Sequence, residues 1–253
     1  MFSPRIFSIL ITFLLSFPVF SEDIEEIVVT ALKRSSTVVD TPASITAIGS
    51  NEIEDKGITD MNDLKHLVPG MNFTSVLGAQ NITIRGIGQF NGNPGVSVST
   101  DGVFQSRAHS SQLGEMDLER IEVLRGPQGT LYGRNSIGGV VNLITKNPSQ
   151  DRDGYIKFGH SNYNTTKVET AFGGGISENT TYRLVVSSTN QGEGYYDCLN
   201  VGCGEQGYTD KSAYRLKVNT ELNDSISADV MVASVSTDGT PNPYGWITDN
   251  RAL

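Results

Sequence analysis

The stretch from Asp117 to Lys146, DLERIEVLRGPQGTLYGRNSIGGVVNLITK, constrains the fold more than any other part of this chain. Ile121, Val123 and Leu124 make an apolar strand that stops at Arg125-Gly126-Pro127, and Val140 to Ile144 makes a second that stops at Lys146-Asn147-Pro148. Between them Gly126, Gly129, Gly133, Gly138 and Gly139 permit positive φ and close approach of neighbouring chains, while Pro127 fixes the entry to a turn. Such a segment suits packing inside a confined wall.

Two nucleotide-binding readings of these glycines fail on spacing. A phosphate loop needs Gly-x-x-x-x-Gly-Lys-Ser/Thr, and Gly133 is followed instead by Arg134-Asn135-Ser136. A dinucleotide loop fails at Arg85-Gly86-Ile87-Gly88-Gln89-Phe90-Asn91, where Asn91 stands at the third glycine position. The words Glu119 to Pro127 and Leu131 to Gly139 closely resemble the plug-domain signature of TonB-dependent outer-membrane receptors. The resemblance extends upstream through Ile84-Arg85-Gly86 and Val98-Ser99-Thr100-Asp101-Gly102-Val103, and covers roughly Glu25 to Pro148.

The ends of the chain fit that resemblance. Arg5, the apolar run Ile6 to Phe20 and the site after Ser21 read as a cleavable secretion signal. The run is shorter than the roughly 20 residues a spanning helix needs, and Pro18 interrupts its end. No later segment approaches a spanning helix, so integration into a membrane would have to use β-strands, which points to an outer membrane. The expected organisation is a signal peptide over 1–21, a TonB box and linker over 22–36, a plug domain over 37–150 and the first strands of a barrel over 151–253. The N-terminus of the mature chain would lie in the periplasm.

Glu26, Ile27, Val28, Val29 and Thr30 form a short β-prone run which, by the resemblance, is the TonB-binding box. An unpaired, exposed strand there would offer its backbone to another protein's sheet edge. The plug itself is expected to be an α+β unit, a small mixed sheet with short helices. Expected elements are a strand over 44–48, a helix towards Lys56 capped by Ser50 or Asn51, with Glu54 as a capping-box partner of Asn51, and a second helix opening at Thr59 or Asp60 with Met61, Leu64, Leu67 and Val68 on one face. Strands at 81–85, 96–100, 121–124 and 140–144 follow. Polar loops put Gln89, Phe90, Asn91, Asn93, Gln105 and Arg107 forward as ligand-facing positions.

Beyond Asp151 the alternation lengthens to that of antiparallel transmembrane strands, read at 154–160, 165–173, 181–189, 212–222 and 225–235. Tyr214, Leu216 and Val218 would face lipid while Arg215, Lys217 and Asn219 face a polar interior; Tyr182, Leu184 and Val186 likewise oppose Arg183 and Ser187. A soluble antiparallel sheet shows the same alternation with its faces exchanged, and only the short and long connections favour the barrel. Plugged family barrels have about 22 strands, so this sheet is an incomplete β-barrel and the sequence is expected to belong to a longer receptor.

Charge and rare residues exclude other classes. The formal charge is -9, which becomes about -10 without Arg5, and argues against phosphate-driven nucleic-acid binding. Cys198 and Cys203 can close a small loop in an oxidising compartment, worth roughly 2 kcal/mol, with two free thiols as the alternative. A zinc site would need further Cys or His nearby, and His66, His109 and His160 are scattered, so neither a metal nor a cofactor is expected. His109 precedes Ser110 and Ser111 with no nucleophile elbow around them, so no catalysis is expected.

What the resemblance implies is TonB-dependent transport of a scarce ligand, a ferric siderophore or other iron complex first, across the cell outer membrane, with the plug gating the barrel. Haem, cobalamin or carbohydrate are alternative cargoes, and a non-transporting periplasmic binding module is an alternative role. A signalling receptor is disfavoured because only Glu22-Asp23-Ile24 separate Ser21 from Glu25. Partners would be TonB with its inner-membrane energising complex, and outer-membrane lipid. Arg85, Glu119, Arg120, Glu122, Arg125 and Arg134, in the matched words, would anchor the plug by pairing with the wall.

Overall fold

The computed structural model describes residues 28–30, 32–34, 36–58, 61–76, 79–89, 93–105, 116–195, 207–223 and 225–239. Two five-stranded sheets dominate. In the N-terminal half, β1 (Val28–Val29) pairs with β2 (Ser36–Thr37), followed by β3 (Ile45–Gly49), α1 (Ser50–Asp55) and a 3-10 turn at Asp63–His66. A hairpin of β4 (Met71–Val76) and β5 (Ala79–Ile84) precedes β6 (Val96–Thr100), β7 (Val103–Phe104), β8 (Leu118–Arg125), the single-turn α2 (Gly129–Tyr132) and β9 (Gly139–Thr145). The plug sheet runs β3-β8-β9-β6-β7 with β6 parallel to β9 and the other neighbours antiparallel, a mixed sheet as expected.

The register sorts its residues onto two unlike faces. Ile48, Ile121, Val123, Val141, Leu143, Val96 and Val98 share one face, buried with Met61, Leu64, Val68, Met71 and Ile84 in the principal core. The opposite face carries a polar row, Glu122 beside Asn142 beside Ser99. All five residues of β6 are buried, Val96 and Val98 in the principal core and Ser97 and Ser99 on the polar face, so the strand has no solvent face although Val-Ser-Val-Ser-Thr alternates.

The glycine region closes against the plug's own backbone. A Cβ on Gly139, where φ is +153°, would lie 2.3 Å from the Leu124 carbonyl oxygen, and one on Gly138 would lie 2.9 Å from that of Ile87. The close approach expected from the wall is therefore made inside the plug, where β8, β9 and the 84–88 turn converge.

Local expectations shift in places. The first helix starts at Ser50 behind Gly49 with no side-chain cap, so the Asn51–Glu54 capping box does not form. Thr59 and Asp60 lie outside the described residues, and the expected second helix is present only as the 3-10 turn, with Leu64 buried. β2, β4 and β7 were not expected.

The C-terminal half is an antiparallel meander of β10 (Asp153–Ser161), β11 (Thr165–Ser177), β12 (Thr180–Gln191), β13 (Thr209–Asn223) and β14 (Ile226–Gly239). All five match expected strands, each extended by a few residues. Tyr182, Leu184 and Val186 share the outer face with Phe172, Tyr214, Leu216 and Val232, while Arg183, Arg215 and Lys217 are buried on the inner face against the plug. This is the inversion a lipid-facing wall requires.

Candidate functional site

Chemistry concentrates in two places, the seam between plug and wall, and the docking of the N-terminal strand on the plug. The seam begins with an oddity of register. Arg183 and Lys217 are direct cross-strand neighbours on one face, an arrangement that repels unless acids intervene. The acids come from β10 and the plug. Arg183 donates Nε and Nη2 to Asp117 at 2.5 and 2.8 Å and Nη1 to both oxygens of Asp153 at 2.8 and 2.9 Å. Gly173 separates Asp153 from Arg183 in the same row, and a Cβ there would sit 2.6 Å from the Tyr182 carbonyl oxygen, so glycine keeps that row open.

Arg215 donates Nη2 to the carbonyls of Met116 and Asp117 at 2.8 and 3.3 Å, and lies 3.6 Å from the Asp117 carboxylate. Lys217 pairs with Asp101 at 3.0 Å and reaches Asn147 Oδ1 at 3.3 Å. Asp101 also accepts from the backbone N–H and hydroxyl of Thr145, at 2.9 and 2.6 Å. The Tyr155 hydroxyl donates to Glu169 at 2.6 Å and lies 3.2 Å from Asp117. At the rim, Lys157 bridges to Glu54 on α1, both about half exposed.

Asp101 and Asp117 stand at the same end of the plug sheet, each at φ +49°, a conformation Asp tolerates better than most residues. The Asp117 side chain is fully buried. Burial pushes its carboxyl up, but the Arg183 hydrogen bonds and the charges of Arg183, Arg215 and Lys146 outweigh this and hold it below the ordinary carboxylate value of 3.8. Sequence reasoning gave neither aspartate a role. The usable signal was the pair of inward cations on β12 and β13, whose burial demands acids opposite them.

Of the six residues expected to anchor the plug, Arg85, Glu119, Arg120 and Glu122 have side-chain partners within it. Arg120 pairs with Glu119 and with Glu122, the latter at 2.8 Å. Arg85 donates to Ser44 at 3.2 Å, and Arg125 holds its Nε buried with no hydrogen-bond partner among the described residues. No ion pair among the described residues joins Arg85, Glu119, Arg120, Glu122, Arg125 or Arg134 to the five wall strands.

The N-terminal strand departs from expectation. Glu26 and Ile27 lie outside the described residues, but Val28 and Val29 are paired with Thr37 and Ser36, and Val29 is fully buried. The Thr30 N–H donates to Glu122 Oε1 at 2.9 Å, and Arg120 Nη2 donates to the Thr30 hydroxyl at 3.0 Å. The strand is docked, not free. The Thr30 N–H has found a buried acceptor 92 residues away in sequence, as buried backbone groups must find a partner.

Of the expected ligand-facing positions, Gln89 and Asn93 are exposed at the end of β6 opposite the seam, while Gln105 is half-buried with its N–H on Val98. Phe90, Asn91, Arg107, Cys198 and Cys203 lie outside the described residues. No cluster of metal-ligating side chains occurs among the described residues.

A mixed-sheet plug pinned by buried ion pairs to the inner face of an outward-apolar meander is the arrangement of a plug against part of an outer-membrane barrel wall. The match to the TonB-dependent receptor plug domain over residues 37–140 agrees, and the chain belongs to the TonB-dependent outer-membrane receptors. It is 31% identical to the pesticin receptor of Yersinia pestis over 188 residues, 72% of this chain and 28% of that protein. It is 30% identical to the iron-regulated outer membrane virulence protein of Vibrio cholerae over 241 residues, 87% of this chain and 36% of that one. The crystal structure of the ferric yersiniabactin uptake receptor of Yersinia pestis superposes with a TM-score of 0.68 at 27% identity, covering 77% of this chain and 32% of that chain. The chain thus spans about a third of the length of these relatives.

Proposed function

We propose that the receptor containing this chain imports a ferric siderophore across the outer membrane, driven by TonB with its inner-membrane complex. The observation that carries the reading is the seam: the plug is fastened to the wall by a few directional ion pairs, a joint that can be broken and remade without unfolding the barrel. Relatives named for iron regulation and for ferric yersiniabactin uptake supply the cargo class. Exposed Gln89 and Asn93, at the far end of the plug sheet from Asp101, are the plug positions that would meet ligand. Arg85 and Arg125, adjacent at that same end, would anchor the plug to acidic residues of the remaining wall.

Iron-starved cells lacking the gene, supplied with single ferric siderophores, should take up radiolabelled iron from at least one of them only when the receptor and TonB are both restored. Uptake that is indifferent to TonB would sink the reading. Residues 26–30 would form the segment TonB engages through backbone pairing. Val28→Pro, which removes a ladder donor and restricts the backbone, should then abolish uptake, whereas Val28→Ala should leave most of it; normal transport by Val28→Pro contradicts the assignment.

A further inference from the structure

Glu122 is a fully buried carboxylate in the centre of the plug sheet, and its partners are unusually placed. Its Oε1 accepts from Arg120 Nε at 2.8 Å, from the Thr30 N–H at 2.9 Å and from the Thr30 hydroxyl at 3.4 Å. Its Oε2 accepts from Asn142 Nδ2 at 3.4 Å, and Asn142 Oδ1 accepts in turn from Ser99 at 2.8 Å. The polar row across β8, β9 and β6 thus ends on the N-terminal strand. Thr30 has no unused backbone group, because its carbonyl accepts from the Lys33 N–H at 2.8 Å.

We propose that Glu122 is the docking residue of the N-terminal strand: its carboxylate takes the Thr30 N–H that a partner's sheet edge would otherwise claim, and holds Val28 to Thr30 against the plug until that bond is surrendered. This rests on the reading of residues 26–30 as the TonB-engaging segment. A buried carboxylate is a strong acceptor while its donors stay, and an unfavourable one to strip, so a single charge-assisted bond gives docking two well-separated states. Arg120 reinforces the docked state from both sides, touching Glu122 and the Thr30 hydroxyl. A cavity of about 570 Å³ between Thr30, Arg120 and the wall residues Lys217, Asp229 and Met231 gives the strand room to leave without moving the sheet.

The test uses the detergent-solubilised receptor, with Cys198 and Cys203 replaced by serine and Val29→Cys as a buried reporter. A membrane-impermeant maleimide should label that position slowly, and Glu122→Gln, which discards the ion pair with Arg120, should speed labelling at least tenfold. Thr30→Pro, which deletes the donor, should do the same, and combining the two should add little. Val141→Cys, in the plug core, should stay protected in every background. Unchanged labelling at position 29 in Glu122→Gln overturns the proposal, as does equal deprotection at position 141, which would mean a purely structural role. Purified periplasmic TonB domain should be captured more readily by Glu122→Gln; faster labelling without gained capture leaves the docking role standing and overturns the TonB reading.

Discussion

The plug and the wall are both five-stranded sheets, yet they spend their residues in opposite ways. In the plug sheet Val123, Val141 and Leu143 are buried on one face and the polar row Glu122, Asn142 and Ser99 on the other, so both faces are covered by protein. In the wall, Ile156, Phe158, Phe172 and Val232 are exposed on the outer face while Arg183, Arg215 and Lys217 are buried on the inner one. The difference teaches that each sheet is incomplete alone. The wall's buried cations make sense only opposite the plug's acids, and its exposed apolar rows only against lipid.

Removing Asp117 tests that dependence most severely. Asp117→Ala removes the plug carboxylate that Arg183 and Arg215 share, and should destabilise the plug–wall joint by about 3–5 kcal/mol. Denaturant unfolding of the detergent-solubilised receptor, followed by protease release of the plug, measures it. The acid titration has a definite sign. Because the Asp117 carboxyl is held below 3.8 when folded, its contribution is fully present above that value and is lost as pH falls through the lower folded value. Plug release between pH 5 and 7 in the wild type would show that another group governs the joint.

Reversing the wall's logic should have the next largest effect. Val186 is 46% exposed on the outer face of the central strand β12, so Val186→Arg should lower barrel stability by about 2–4 kcal/mol, measured by unfolding into lipid vesicles. Val186→Ala in the same assay should change little. If arginine is tolerated there, the outer face does not meet hydrocarbon.

How far the sequence alone carried these two regions follows from where their information lies. The wall's strands and faces were legible because a period-two pattern is local: Tyr214, Leu216 and Val218 against Arg215 and Lys217 need no knowledge of the rest of the chain. The plug was legible through its glycine-rich words, although the glycines proved to serve backbone contacts such as Gly139 with Leu124 inside the plug. The seam was not legible. Asp117 lies 66 residues from Arg183 and Asp101 lies in a turn, and nothing local distinguishes them from solvated acids. The docked strand was misread for the same reason, since the acceptor for Thr30 is 92 residues away. Nonlocal pairing of short polar side chains leaves no periodic trace.

The smallest effect is expected at the seam's rim, and it separates the two kinds of contact most cleanly. Glu54 and Lys157 join α1 to β10 with side chains 55% and 47% exposed. Their hydrogen bond, with the lysine charge, lowers the Glu54 carboxyl below its ordinary value, but water competes for both groups. A double-mutant cycle of Glu54→Gln and Lys157→Met should therefore give a coupling under about 1 kcal/mol, falling further as salt is raised. The same cycle on Asp117 and Arg183 should be several times larger and nearly insensitive to salt, because neither group is reached by ions. Equal couplings at rim and centre would mean the joint is uniformly weak. A steep gradient instead lets the rim part readily while the Asp117 centre stays fastened, so that movement of the plug would start at α1.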